Sequence, residues 1–190
     1  MDAFLLSLGV IFLAELGDKS QLMALAFAAR YPARTVLVAV TLATLVVHAG
    51  SVVLGAAATL ALPTGLLNVA AGLAFFGFAA WSLRGDRLGG AEERRAARSV
   101  RWALLAIGSA FFLAELGDKT MLATVTLAAT EEPVGTWLGS TAGMVVADAL
   151  AIGFGRLMGA RMPERKIKVL AAAAFVVFGV LLLAEGLAIV

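Results

Sequence analysis

Long apolar segments alternate with short polar ones along almost the whole chain. A membrane-spanning helix needs about 20 mostly apolar residues. Six stretches meet this requirement, at residues 3–29, 35–61, 65–83, 102–130, 134–159 and 167–190. The polar stretch at 84–101 is the only long one, and it lies near the middle of the chain. This pattern predicts an all-α integral membrane protein with six transmembrane helices.

The composition agrees with a protein that is almost entirely membrane-embedded. Of its 190 residues 62% are hydrophobic, and the mean hydropathy is +0.98, whereas soluble chains are roughly 45–50% apolar. We therefore expect one transmembrane domain over residues 1–190. Cysteine is absent, which excludes a disulfide framework or a thiolate metal site. The opening sequence "MDAFLLSLGV" has no positive signal-peptide region, so we interpret it as the start of the first helix.

The cationic residues indicate an orientation. Thirteen of the 15 Lys and Arg residues follow the first, third or fifth predicted helix, and the other two are Lys19 and Lys119. The opposite side carries only Asp2, Glu131 and Glu132. Cationic residues near helix ends stay on the cytoplasmic side. We therefore expect both termini outside, and a cytoplasmic linker at residues 85–100.

The chain contains an internal duplication. "FLAELGDK" at residues 12–19 returns at 112–119, and weaker matches continue at the same offset of 100, such as Thr41 with Thr141 and Gly55 with Gly155. Helices one to three therefore resemble helices four to six. Because three is odd, the second copy must cross the membrane in the opposite sense, which is the inverted-topology repeat of many secondary transporters. The predicted fold is a 3+3 inverted repeat, with repeat one at 2–84 and repeat two at 101–190.

Each motif copy places charge near the bilayer centre. Glu15 and Asp18 have about ten or more apolar residues on either side, and so do Glu115 and Asp118. A helix over residues 3–29 would be about 40 Å long at 1.5 Å per residue. It must therefore tilt or break in a hydrocarbon layer of about 30 Å. Gly17 is the natural weak point if the helix breaks.

The motif residues suggest an oxygen-rich cation site. The spacing i, i+3 puts Glu15 and Asp18 on one helix face, and Lys19 at i+4 can reach Glu15. Each copy adds one hydroxyl, and together the candidate ligands are Glu15, Asp18, Ser20, Glu115, Asp118 and Thr120. If a two-fold axis brings the copies together, this set suits Ca²⁺, Mn²⁺ or Mg²⁺. With no thiolate and a single histidine, zinc and copper are not favoured.

Counting charge suggests an exchange. Four carboxylates and the two motif lysines give an unloaded cluster a charge of −2, which one divalent cation or two protons would neutralise. An uncompensated charge at the bilayer centre costs roughly 3 kcal/mol or more. The favoured states are therefore metal-bound or doubly protonated, as in an exchange of one divalent ion for two protons.

Other readings of these residues remain open from sequence alone. Glu15–Lys19 and Glu115–Lys119 could be structural ion pairs that lock helices one and four. Asp148 and His48 occupy equivalent positions in helices five and two. Asp148 is a candidate proton relay or secondary ligand. His48 is a candidate ligand, titrating group or hydrogen-bonded helix contact.

The paired motifs "ELGDKS" and "ELGDKT" on the first helix of each half resemble the Gdt family of calcium/manganese–proton antiporters, of the lysine-exporter superfamily. The resemblance covers nearly the whole chain. It implies that Glu15, Asp18, Glu115 and Asp118 bind the cation, while Lys19, Lys119, Ser20 and Thr120 fill the remaining motif positions. It also implies export of Mn²⁺ or Ca²⁺ as substrate rather than a resident cofactor, from a bacterial plasma membrane.

Two other functions are alternatives to a divalent cation exporter. An amino-acid exporter of the lysine-exporter superfamily could use the same acids, although four carboxylates exceed what one ammonium needs. An intramembrane lipid-pyrophosphate phosphatase would need arginines for phosphate, and none lies mid-membrane in the predicted helices. We therefore expect a transporter and not an enzyme. Its expected partners are the metal ion, protons and the lipid bilayer, without nucleic acid, and a homo-oligomer is compatible with the sequence.

Overall fold

A computed structural model describes residues 2–84, 103–158 and 164–189, and these residues form eight α-helices. The predicted linker at 85–100 lies outside the described residues. The helices are α1 (Ala3–Glu15), α2 (Lys19–Ala28), α3 (Ala33–Ala61), α4 (Thr64–Arg84), α5 (Ala103–Glu115), α6 (Lys119–Ala128), α7 (Pro133–Met158) and α8 (Glu164–Ile189). Side-chain caps fix two of the helix starts. Asp2 accepts a hydrogen bond from the Phe4 backbone N–H at 3.0 Å. Glu132 accepts from the N–H groups of Val134 and Gly135 at 2.8 and 2.6 Å.

The all-helical prediction is confirmed in the described residues, where four helices are long and apolar enough to cross a membrane. These spans are Ala33–Ala61, Thr64–Trp81, Pro133–Phe154 and Ala172–Ile189. The first and fourth predicted spans are each divided into two shorter helices, α1 with α2 and α5 with α6. Large apolar side chains are exposed on seven of the eight helices; Leu60, for example, is 91% exposed. Such an extensive apolar surface fits a multi-pass membrane protein.

Glycines allow close approach between two pairs of helices. On α7, a Cβ added at Gly139 or Gly143 would collide with the backbone of α1 at Phe4 or Leu8. On α8, a Cβ at Gly179 would lie 3.0 Å from the carbonyl oxygen of Gly72 in α4, and one at Gly186 would lie 2.8 Å from the Val69 nitrogen. Small residues at these points let the helix backbones pack against each other without lipid between them.

The packing of the two halves is reciprocal. Helix α7 packs on α1 and α2, and α3, the α7 counterpart in repeat one, packs on α5 and α6. Helix α3 also packs on α7, and α4 packs on its own counterpart α8. The Thr44 hydroxyl lies 3.2 Å from the sulfur of Met144, its counterpart at the repeat interval of 100 residues. Each half therefore completes its packing with the other half.

The two ends of the molecule can be distinguished. A cavity of about 270 Å³ is lined by the start of α1, the loop after α6 and the end of α8, including Leu6, Thr130, Glu131 and Glu185. We call this the Glu131 end. Gly55 of α3 contacts Ala128 and Ala129 near it, so the start of α3 lies more than about 30 Å away at 1.5 Å per residue. We call that opposite end the Arg30 end.

Candidate cation-binding site

Both motif copies lie where a helix is interrupted. Helix α1 stops at Glu15 and α2 starts at Lys19, while α5 stops at Glu115 and α6 starts at Lys119. Gly17 has φ 75° and Gly117 has φ 76°, a left-handed conformation that costs other residues roughly 1–2 kcal/mol. Of the two alternatives left open by the helix length, tilt or breakage, the structure shows breakage, and the motif glycine supplies the backbone conformation that it requires.

The break corrects two expectations based on a continuous helix. Glu15 and Asp18 do not share one helix face, because Glu15 ends α1 and Asp18 stands at the position before α2. A backbone hydrogen bond from the Asp18 N–H to the Glu15 carbonyl, at 3.0 Å, spans this turn. The described ion pair of Lys19 is also not with Glu15, since the ammonium group turns toward the other motif copy.

Two crossed ion pairs join the motif copies. The Lys19 Nζ lies 3.0 Å from Asp118 Oδ1, and the Lys119 Nζ lies 2.6 Å from Asp18 Oδ1. The Lys119 and Asp18 side chains are almost completely buried, whereas the Lys19 side chain is 20% exposed. Each lysine therefore bonds to the aspartate of the opposite half. These pairs differ from the structural alternative, which joins each lysine to the glutamate of its own copy.

The motif hydroxyls hold the glutamates. Ser20 donates a hydrogen bond to Glu15 and lies 3.3 Å from an Asp18 carboxylate oxygen. Thr120 donates to Glu115 at 2.8 Å. One oxygen of each glutamate, Oε2 of Glu15 and Oε1 of Glu115, makes no hydrogen bond to the described residues although it is buried. These two oxygens are available to a ligand.

Asp148 and His48 are both buried in the protein interior, with different surroundings. Asp148 interacts electrostatically with Glu15 and Asp18, and neither of its carboxylate oxygens makes a hydrogen bond to the described residues. The His48 Nδ1 lies 3.4 Å from the Thr141 hydroxyl of α7. The structure thus places Asp148 near the motif carboxylates. The contact of His48 with Thr141 joins α3 to α7, and such a helix contact was one of the three roles considered for His48.

Sequence reasoning missed Gln21. Its side-chain oxygen accepts a hydrogen bond from the Gly17 N–H at 2.8 Å, and its side-chain nitrogen donates to the Ala147 carbonyl at 3.1 Å. Gln21 therefore ties the first break to α7, next to Asp148. At the second break, Met121 places its sulfur 3.1 Å from the Gly117 nitrogen. The sequence signal that could have pointed to Gln21 was its position as a polar residue inside an apolar stretch.

The buried carboxylates of this region interact electrostatically with one another. Glu115 interacts with Asp118, Asp18 and Asp148, and Glu15 interacts with Glu115 and Asp18. Four motif carboxylates and two ammonium groups therefore lie together in the protein interior, and the fifth carboxylate, Asp148, interacts with three of the four. Within the described residues, no three acidic or histidine side chains are arranged so that they could hold one metal ion. The lysines explain this arrangement, because each aspartate directs an oxygen at an ammonium group.

At the Glu131 end the acidic side chains lie outside this cluster. Burial raises the pKa of the Glu131 carboxyl, and the neighbouring Glu185 carboxylate raises it further. Glu131 lies in the loop between α6 and α7 and lines the cavity together with Glu185. These two acids are near the surface and are separate from the five buried carboxylates.

Comparison with known proteins identifies the chain. The family model described as "Divalent cation/proton antiporter GDT1" matches it twice, over residues 3–89 and 103–189. A Vibrio cholerae protein named "Putative manganese exporter" is 35% identical over 92% of this chain and 87% of its own length. "GDT1-like protein 5" of Arabidopsis thaliana is 30% identical, covering 95% and 94%. A GDT1-like protein of Synechocystis is 29% identical, covering 95% and 96%.

No solved structure gave a significant match to the chain. The two family matches cover both motif copies, and each begins at the first helix of one half. The family consists of transporters, which removes the phosphatase alternative. The chain is therefore a multi-pass membrane transporter and not an enzyme, and it belongs to the GDT1 family of divalent cation/proton antiporters.

Proposed function

We propose that this protein exports Mn²⁺ from the cytoplasm in exchange for protons, with Ca²⁺ as the second candidate substrate. The proposed ligands are Glu15, Asp18, Ser20, Glu115, Asp118 and Thr120. The observation that carries the proposal is the pair of crossed contacts between Lys19 and Asp118 and between Lys119 and Asp18. These contacts bring motif copies 100 residues apart to one buried place. One chain supplies both copies, so the proposed site is complete in a monomer.

The lysines give the site internal counter-charges. A divalent ion that binds Asp18 and Asp118 must share these carboxylates with Lys119 and Lys19 or displace the ammonium groups from them. The free glutamate oxygens and the motif hydroxyls offer the first contacts, because they are buried without being held by a cation. A metal can thus enter on the glutamates and draw in the aspartates as the ammonium groups move.

The ligand chemistry supports Mn²⁺ or Ca²⁺ over softer metals. Every proposed ligand atom is an oxygen, the ligand type preferred by Ca²⁺, Mg²⁺ and Mn²⁺. Cysteine is absent from the whole chain, and the only histidine is His48. The name of the Vibrio cholerae relative refers to manganese, which is why we place Mn²⁺ first.

Transport by the purified protein in liposomes tests this assignment. With an inside-acid pH gradient, we expect Mn²⁺ to accumulate inside, and we expect excess external Ca²⁺ to reduce this uptake more than Zn²⁺ at equal concentration. The Glu15→Gln/Glu115→Gln variant is the matched control, because it keeps both lysine–aspartate pairs. Inhibition of uptake by lysine rather than by divalent cations would favour the amino-acid exporter and would contradict the proposal.

For the architecture we propose six membrane crossings in a 3+3 inverted repeat. Repeat one would cover 2–84, the cytoplasmic linker 85–100 and repeat two 101–190. In this arrangement α1 with α2 forms one crossing, and α5 with α6 forms its counterpart. Reciprocal packing supports the repeat, since α7 lies on α1 as α3 lies on α5. The matching glycine conformations at the two breaks support it as well.

We further propose that both termini face the outside of a bacterial plasma membrane, so that the Glu131 end is external. The cationic asymmetry of the sequence supports this orientation. Because the chain has no cysteine, Glu92→Cys and Glu131→Cys each introduce a single thiol. In intact cells we expect an impermeant thiol reagent to label the second variant and not the first. Labelling of Glu92→Cys from outside would reverse the orientation.

A further inference from the structure

Three buried hydroxyl groups in the Glu131 half of the protein have no hydrogen-bond partner among the described residues. They belong to Ser7 of α1 and to Thr136 and Ser140 of α7. All three residues have 0% of their surface exposed. Serine and threonine in a helix commonly bond to the carbonyl four residues earlier, as Ser51 does with Val47 at 2.9 Å. The three unpartnered hydroxyls are therefore exceptional, because a buried polar group without a partner is destabilising.

These hydroxyls share a position relative to the buried acids. Ser7 precedes Glu15 by eight residues in α1, and Ser140 precedes Asp148 by the same interval in α7. Eight residues of helix rise about 12 Å. Thr136 lies one further turn from Asp148, toward the Glu131 end. Since α1 and α7 both start at that end and pack side by side, the hydroxyls lie between the surface and the acids.

In the opposite half of the molecule, apolar residues occupy the positions equivalent to these three hydroxyls. The residues 100 positions away from Ser7, Thr136 and Ser140 are Ile107, Val36 and Val40. All three are completely buried and belong to one continuous apolar cluster that also contains Phe27 and Phe111. The Glu131 half has its own apolar cluster, with Ile11 and Leu127 at the positions equivalent to Phe111 and Phe27, so the two halves differ at the three hydroxyl positions. By the repeat, the three hydroxyls occupy the equivalent positions in the Glu131 half, on the adjacent helices α1 and α7.

A cavity lies next to this region. The cavity of about 270 Å³ at the Glu131 end includes Leu6, the residue before Ser7, and its lining includes the carboxylates of Glu131 and Glu185. A water molecule occupies about 30 Å³ in the liquid, so the cavity is large enough for several. Between the cavity and the acids, each bridging water would need two to four polar partners, and the three hydroxyls, Glu15 and Asp148 are the candidates.

We propose that Ser7, Thr136 and Ser140 form a hydroxyl track that carries protons between the Glu131 end and the carboxylates of Glu15 and Asp148. The inference rests on the proposed antiport function, and it assigns a proton route to residues outside the motif. Each hydroxyl donates one hydrogen bond while accepting another, so a chain of hydroxyls and waters can pass a proton without any side chain becoming charged. Among the described residues of the Arg30 half, the three equivalent positions carry apolar side chains that cannot relay a proton.

The test compares a triple variant, Ser7→Ala/Thr136→Val/Ser140→Ala, with the single variant Ser51→Ala. Ser51 is equally buried, but its hydroxyl is already bonded to its own helix. In liposomes we expect the triple variant to lose about tenfold or more in Mn²⁺-coupled proton flux, the factor that corresponds to about 1.4 kcal/mol in a barrier. We expect Ser51→Ala to transport at the wild-type rate.

Two further measurements separate a proton route from a structural role. The melting temperature of the triple variant should be equal to or above that of the wild type, because unpartnered buried hydroxyls are removed. Thermal stabilisation by Mn²⁺ should be unchanged, because no proposed ligand is altered. If the wild type transports and the triple variant transports equally fast, the track is wrong while the antiport proposal stands. If the wild type shows no Mn²⁺-coupled proton flux, the antiport proposal itself fails.

Discussion

Asp118→Asn is expected to abolish divalent cation transport while the protein still inserts into the membrane and folds. The amide keeps the shape of the side chain but removes one of the charges that balance the cation. An uncompensated charge near the bilayer centre costs roughly 3 kcal/mol, which corresponds to a more than hundredfold loss of affinity. The lysine that loses its partner, Lys19, has a side chain 20% exposed and can turn toward water. Mn²⁺ uptake into liposomes measures the transport, and circular dichroism with thermal unfolding measures the fold.

A double variant shows whether net charge or ligand identity matters. Asp118→Asn/Lys19→Gln restores the net charge of the motif cluster to −2 but leaves it with three carboxylates. We expect the double variant to recover any stability lost in Asp118→Asn and to remain inactive. Recovery of transport would mean that charge balance alone suffices, and Asp118 would then not be a metal ligand. Normal transport by the single variant would contradict the four-carboxylate site altogether.

The equivalent change in the first repeat is expected to be more harmful to the fold. Asp18→Asn removes the carboxylate 2.6 Å from the Lys119 ammonium, whose side chain is only 4% exposed. Removing one partner from a buried ion pair costs about 3–5 kcal/mol, and the Lys119 side chain is less able to turn toward water than that of Lys19. Asp118→Asn is therefore the better test of transport, although the two aspartates occupy identical positions in the motif.

The fold class followed from the sequence because its signals are long and regular. Six apolar stretches and an eight-residue identity at an interval of 100 residues predicted a helical membrane protein with related halves. The breaks at Gly17 and Gly117 were one of two alternatives. Helix length requires a tilt or an interruption, and only the actual backbone, with φ 75° and 76°, distinguishes them.

The ion-pair partners of the motif lysines could not be predicted from the sequence. Local spacing favours a pair between Lys19 and Glu15, because residues at i and i+4 are neighbours on an uninterrupted helix. The break removes that neighbourhood, and the packing of the two halves then brings Asp118 within 3.0 Å of Lys19. This contact spans 99 positions along the chain, and no periodicity encodes it. The unpartnered hydroxyls of Ser7, Thr136 and Ser140 were also missed. Isolated serines and threonines are common in membrane helices, so the sequence does not mark these three.

The exchange is expected to be electroneutral, with two protons for each divalent ion. The four motif carboxylates and two lysines carry −2, and the structure adds Asp148, which interacts with Asp18 but has no ion-pair partner among the described residues. A buried carboxylate without a cation is most stable with a proton on it. If Asp148 keeps this proton in both the metal-bound and the metal-free states, it does not change the number of protons exchanged. The remaining charge of −2 still requires one divalent ion or two protons.

This stoichiometry has a direct electrical test in liposomes that contain the purified protein. An inside-acid gradient should drive Mn²⁺ inward, because protons leave as the metal enters. A potassium diffusion potential imposed without a pH gradient should drive no uptake, since moving one elementary charge across 100 mV would otherwise contribute about 2.3 kcal/mol. Glu15→Gln removes one proton-accepting carboxylate while both lysine–aspartate pairs remain, so any residual exchange in this variant should become sensitive to potential. Strong potential-driven uptake by the wild type would show net charge movement, and an exchange of two protons for one metal would then be wrong.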